Sequence, residues 1–471
     1  MSLTRREFLA GAIVVPSIAG RVFGHGGQAG LKTRPATARP VPSPSQLAWQ
    51  HDELALFLHF GVNTFTDREW GDGKESPAIF NPAALDARQW ARAAKAGGFR
   101  AMVLTAKHHD GFCLWPTKTT NHSVASSAFR GGRGDVVREF VEACRSEGLK
   151  PGLYLSPWDR HEPRYGDSPA YNDFYCDQLT ELLTQYGRID EVWFDGANGE
   201  GPNGKKQTYD WPRVWALVRK LQPQAVMFSD AGPDVRWIGN ERGIAGDPNW
   251  STVDPDVVSF PGATGPRVIP MLQHGDPDGA VWRPGESDVS IRPGWFYHPA
   301  EDARVKSVDD LVSLYFSSVG RNSKLLLNAP PTRDGLLHEV DAARLVGLRT
   351  ALDRMRASDV TKRARVRWQP TGTRSAVATI ELRQDSSVSV AELREDIAQG
   401  QDVARYTLEA RTSPTAAWQP LSEGTTIGHC KLDRLPGAKM REARLTIDGA
   451  TDAPRRIAIQ LFEAGPGAGR I

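Results

Sequence analysis

The 471-residue sequence predicts an α/β fold, a (β/α)8-like barrel of the TIM type followed by a small C-terminal antiparallel β-sandwich. From Leu54 onward short apolar runs alternate with longer amphipathic stretches, the signature of parallel strands buried on both faces and of the helices that cover them. Most of the amphipathic stretches stop at glycine, which ends helices because it adopts the left-handed conformation without strain. Beyond Arg356 the apolar period shortens to two, as in antiparallel strands.

The elements follow in order. Residues 54–60 read as the first strand, and the Ala/Arg-rich residues 86–96 as a helix stopped by Gly97-Gly98. Then come strand 101–105, helix 135–146 stopped at Gly148, strand 151–155, and helix 171–186 stopped at Gly187. Strand 191–194, helix 210–221 and strand 225–228 continue the alternation, with helix 309–319 and strand 324–327 further on. Between residues 240 and 305 no strand stands out. A helix at 341–356 closes the barrel, and residues 364–368, 376–382 and 443–447 carry the alternating β-type texture. The expected domains are an export signal at 1–24, a flexible linker at 25–47, the barrel at 48–357 and the sandwich at 358–471.

The N-terminus pairs Arg5-Arg6 with Phe8 and Leu9 and continues into an apolar run at 11–19, the pattern of a twin-arginine export signal. That run is too short for a hydrocarbon core of about 30 Å. The expected location is therefore the periplasm or the exterior, with no membrane partner after signal removal. Gly, Pro, Ala and Ser dominate residues 26–45, the composition of a tether. A net charge of +2 provides no field to gather nucleic acid. The four cysteines lack C-x-x-C spacing, so no zinc or redox motif is expected and buried free thiols are.

In such a barrel the chemistry lies at the C-terminal ends of the strands, so polar residues that terminate apolar runs are the candidates. The first strand ends His59-Phe60-Gly61, and its loop holds Arg68-Glu69-Trp70. The second ends Lys107-His108-His109-Asp110-Gly111-Phe112, the third Tyr154-Leu155-Ser156-Pro157-Trp158, and the fourth Trp193-Phe194-Asp195-Gly196. Neutral imidazoles offer one donor and one acceptor each, which suits the hydroxyls of a pyranose, and tryptophans supply flat apolar walls.

The strings around His59, His108 to Phe112 and Trp193 to Gly196 resemble the signature segments of family 29 glycoside hydrolases, the α-L-fucosidases, over roughly residues 48–355. The string Asp234-Val235-Arg236-Trp237-Ile238-Gly239-Asn240-Glu241-Arg242-Gly243 is similar to the acid/base segment of the α-1,3/1,4-linkage subfamily. The resemblance implies a retaining exo-fucosidase acting on fucosylated oligosaccharides or glycoconjugates, with Asp195 as nucleophile and Glu241 as acid/base. It also implies fucose contacts at His59, Glu69, Trp70, His108, His109, Tyr154 and Trp295, and no metal or organic cofactor. In such a pair Glu241 is expected to carry the proton and Asp195 the charge.

Two other classes compete. Histidines at strand ends can bind a catalytic metal, but metal-dependent barrel hydrolases resemble proteins with a His-x-His pair after the first strand and histidines on strands five and six. Here His59 stands alone, and none lies between His161 and His274. A catalytically silent fucose- or glycan-binding protein would keep the same pocket. Against it, both carboxylates stand where the family motif puts them.

Overall fold

The computed structural model describes residues 39–463, so the expected export signal and most of the linker lie outside the described residues. Eight strands close a barrel: β1 (Leu54–Leu58), β2 (Ala101–Lys107), β3 (Lys150–Leu155), β4 (Glu191–Trp193), β5 (Val226–Ser229), β6 (Val235–Trp237), β7 (Gly285–Ser290) and β8 (Ser323–Asn328). Each pairs in parallel with its sequence neighbours, and β8 closes on β1.

The covering helices begin and end as their sequences dictate. Asp86 caps Ala87–Ala96, Asp135 caps Val136–Glu147 and Asp210 caps Trp211–Leu221, each accepting backbone N–H groups of the first turn. Their buried faces, such as Val137, Phe140, Val141 and Cys144, pack on the barrel. The four cysteines are free and buried.

Strand β6 lies just before the stretch 240–305 in which no strand stands out, and β7 lies inside it. β6 has only three residues and follows β5 without a helix between them. β7 reads Gly-Glu-Ser-Asp-Val-Ser, yet every residue is buried. It is tolerated because each of its buried polar side chains Glu286, Ser287 and Asp288 finds a partner, though Glu286 Oε2 itself has none among the described residues: Trp193 Nε1 donates to Glu286 Oε1 at 3.0 Å, Trp237 Nε1 to Asp288 at 2.6 Å, and Ser287 bonds Ser323 at 2.9 Å.

The expected linker at 25–47 needs correction at its end. Ser43 forms a capping box with Gln46, and Pro44–Asp52 is a helix across the N-terminal mouth of the barrel. Gln46 Nε2 donates to Asp234 O and Trp282 O, and Trp49 Nε1 donates to Glu191 at 3.1 Å, so these residues are structural rather than a tether.

The C-terminal domain is one six-stranded antiparallel sheet made of β9 (Arg365–Gly372), β10 (Ser375–Arg394), β11 (Val403–Arg411), β12 (Gln419–Gly424), β13 (Lys431–Ala450) and β14 (Ala458–Glu463). The two 20-residue strands pair through two register shifts, and the sheet encloses a core of its own, including Ile380, Leu393, Leu408 and Leu445. Polar contacts dock this sheet on the barrel. His429 N donates to Asn322 Oδ1 at 2.7 Å, Ser251 N to Gln401 Oε1 at 2.8 Å, and Arg394 pairs with Glu53 at 2.7 Å.

Candidate active site

Asp195 stands two residues past the end of β4, and its side chain is 8% exposed, at the C-terminal rim. The Tyr154 hydroxyl on β3 donates to its Oδ2 at 3.2 Å, and the Ala197 N–H donates to Oδ1 at 2.6 Å. His109 Nε2 lies 4.0 Å from Oδ2. The hydrogen bonds from Tyr154 and Ala197 thus hold the carboxylate in one orientation, with the His109 ring beside it.

The histidines form a contiguous wall. His108 and His109 have ring centroids 4.1 Å apart, and His59 lies 5.5 Å from His108. Trp295 packs on His59 at 5.0 Å, Phe296 lies 5.0 Å from His108, and Trp70 meets the edge of His109 at 5.8 Å. Burial pushes His59 down to about 4, and burial together with the neighbouring His109 and His59 pushes His108 well down, so both rings are neutral at pH 7.

Hydrogen bonds settle two tautomers. Asn328, the last residue of β8, donates from Nδ2 to the Trp295 carbonyl at 2.8 Å and to Ser290 Oγ at 2.9 Å, so its Oδ1 is the acceptor for His59 Nδ1–H at 2.9 Å. His59 Nε2 therefore carries a lone pair. Ser156 Oγ donates to Trp158 O at 2.7 Å, leaving it to accept from His109 Nδ1–H at 2.7 Å.

Glu69 joins two loops. It accepts from the backbone N–H groups of Trp295 and, at 3.3 Å, Phe296. Trp70 Cα and the turn behind it are fixed differently: Glu75 accepts from Asp72 N at 2.7 Å and Gly73 N at 2.9 Å, while Arg160 donates to Gly71 O.

The structure therefore brings together His59, Glu69, Trp70, His108, His109, Tyr154, Asp195 and Trp295. Glu241 lies on the same rim, half-buried in the turn that follows β6. Asn240 builds that turn, accepting from Arg242 N at 3.0 Å and donating to Ile244 O at 2.9 Å. Gly239 and Gly243 flank it with φ of 78° and 69°, and a Cβ on Gly243 would meet Val289 at 2.8 Å.

This chain's resemblance to known proteins follows the same residues. The α-L-fucosidase family model matches residues 68–354. The chain belongs to the α-L-fucosidase family. It is a glycoside hydrolase, 44% identical to Alpha-L-fucosidase 1 of Arabidopsis thaliana over 90% of this chain and 88% of that one. A solved glycoside hydrolase 29 family member from an unknown rumen bacterium superposes with a TM-score of 0.84 at 40% identity, covering 91% of this chain and 78% of that one. A Ruminococcus gnavus family 29 fucosidase, solved in complex with fucose, gives a TM-score of 0.82 at 30% identity over 93% and 98% of the two chains.

Among this fucosidase's rim residues, Asn328, Ser156, Phe296 and His298 were not singled out from sequence. Asn328 ends the run Leu325-Leu326-Leu327 as Asp195 ends its own, so the same rule applied to β8 finds it. No cluster of three or more His, Cys, Asp or Glu suited to a metal ion occurs among the described residues.

Proposed function

We propose that this enzyme is a retaining exo-α-L-fucosidase that removes terminal α-1,3- or α-1,4-linked L-fucose from oligosaccharides or glycoconjugates, with Asp195 as nucleophile and Glu241 as acid/base. The observation that carries the reading is the Asp195 carboxylate, held by Tyr154 and Ala197 N beside a wall of histidines. An Asp195 oxygen attacks the anomeric carbon while Glu241 gives its proton to the departing oxygen, and the glycosidic bond breaks. Glu241 then takes a proton from water, which attacks the same carbon and releases Asp195.

Neutral imidazoles at His59 and His108 leave the nucleophile's charge intact while meeting sugar hydroxyls. His108 Nδ1 is buried without a hydrogen-bond partner among the described residues, a cost that a bound hydroxyl offsets. Glu69, Trp70, His109, Tyr154 and Trp295 complete the fucose contacts in this reading. The linkage rests on the segment from Asp234 to Gly243. The Arg5-Arg6 pair supports export through the twin-arginine route to the periplasm or beyond.

Proton NMR of the first-formed fucose tests retention: α-fucose must appear before mutarotation, and initial β-fucose would contradict it. A panel of α-1,2, α-1,3, α-1,4 and α-1,6 fucosides tests the linkage. Release of α-1,2-linked fucose as fast as the branched linkages would refute the preference.

A further inference from the structure

His298, outside the sugar-contacting set, presents each ring nitrogen to a different carboxylate. Nε2 lies 2.9 Å from Glu69 Oε2, and Nδ1 lies 2.8 Å from Asp67 Oδ1. A neutral imidazole has one N–H and one lone pair, so in this setting it would turn that lone pair on an anionic oxygen. Only the imidazolium donates to both.

We propose that His298 is a positioning residue for fucoside hydrolysis, its imidazolium fixing the Glu69 carboxylate against the loop after β7. The proposal rests on the reading of Glu69 as a fucose contact. Glu69 spans that junction, since it also accepts from the N–H groups of Trp295 and Phe296, and Trp295 packs on His59. Without the cation those backbone groups alone hold it, and the carboxylate that meets the sugar gains freedom to rotate.

The surroundings keep the ring charged. Three carboxylates face it, Asp67 and Glu69 from the loop after β1 and Glu301 from the turn Pro299–Arg304, with Arg304 paired to Glu301 at 3.1 Å on the far side. The bond to Glu69, then that to Asp67, outweigh partial burial and raise His298 to about 9. Its charge is therefore present through neutral pH and lost as pH rises through about 9.

The test is steady-state hydrolysis of 4-nitrophenyl α-L-fucoside between pH 6 and 10 by the wild type, His298→Gln, Glu69→Gln and the double variant. His298→Gln should lower kcat/KM about tenfold, chiefly through KM, and lose the wild type's alkaline limb near pH 9. The double variant should be no weaker than Glu69→Gln, because one residue acts through the other. Wild-type kcat/KM with an unchanged alkaline limb in His298→Gln, or losses that multiply in the double variant, would overturn the proposal. Imidazole NMR titration of the wild type reads the ring directly and needs no variant that folds: a His298 signal already neutral at pH 7.5 also overturns it. Full activity of Glu69→Gln would instead refute the reading of Glu69 as a sugar contact, leaving the NMR titration to report on the ring alone.

Discussion

His59 shows how one residue's chemistry is set by another distant in sequence. Its Nδ1–H is committed to Asn328, whose amide is oriented in turn by the Trp295 carbonyl. Asn328→Ala frees the ring to rotate and to change tautomer, so kcat/KM on an aryl fucoside should fall about tenfold or more. In the His59→Ala background Asn328→Ala should then add little, and multiplicative losses would show independent roles. Asp110, next to His109, makes a second residue-level prediction. Burial, with Glu75 adding to it, raises its carboxyl to about 7, above the 3.8 of an ordinary Asp. The folded state thus holds a proton that the unfolded chain gives up, and stability declines as pH rises from about 4 to about 7. Asp110→Asn keeps the acceptor for Phe112 N and removes the titration. The Tm of the variant relative to wild type should climb across that window and level off above it, and a constant difference would show that Asp110 does not titrate there. The sequence made Asp195 legible because a carboxylate closes an apolar run. It could not reveal the tautomers, which depend on partners distant in sequence, Asn328 lying 269 residues from His59 and Ser156 lying 47 from His109.

At the level of elements, the strands that were legible are those whose neighbours are apolar, such as Leu54–Leu58 and Ala101–Lys107, buried throughout. β7 was illegible because its polar side chains are paid for by partners on β4, β6 and β8, a compensation that periodicity cannot show. Helix ends were read from glycine, and two of these glycines separate strain from crowding. Gly148 ends Val136–Glu147 with φ of 73°, and a Cβ there meets nothing within 4 Å. Gly148→Ala should therefore cost only about 1 kcal/mol in denaturant unfolding, with activity unchanged. Gly73, at φ of 80°, would place a Cβ 2.3 Å from Arg160 O in the turn behind Trp70. Gly73→Ala should cost more in the same unfolding experiment and should also raise KM, because the turn carrying Trp70 must shift. Equal effects of the two substitutions would contradict this account of the turn.

Across the whole molecule, the barrel and the C-terminal sheet meet through a half-buried charge cluster centred on Glu53. Burial opposes its charge, but the hydrogen bond from His429 and the charge of Arg394 prevail and hold Glu53 well below the usual carboxylate range. Glu53→Gln leaves Arg394 without its full countercharge and should destabilise the fold by roughly 3 kcal/mol. Two separated unfolding transitions in calorimetry of that variant would show the cluster to be what couples the barrel to the sheet. This docking lies beyond sequence reading, since Glu53 precedes Arg394 by more than 300 residues. Export belongs to the same scale: Arg5 and Arg6 both changed to Lys should retain precursor in the cytoplasm, and undiminished periplasmic activity would show the pair to be incidental. The central claim, that Asp195 and Glu241 divide a double displacement between them, is tested most directly by azide rescue of their alanine variants on an activated α-fucoside. Glu241→Ala keeps the nucleophile, so a β-linked glycosyl-enzyme forms and azide inverts it again, giving the α-fucosyl azide. Asp195→Ala permits a single inversion by azide, giving the β-fucosyl azide. Those two products, one from each variant, are the expected result, and β-azide from Glu241→Ala with α-azide from Asp195→Ala would contradict the assignment.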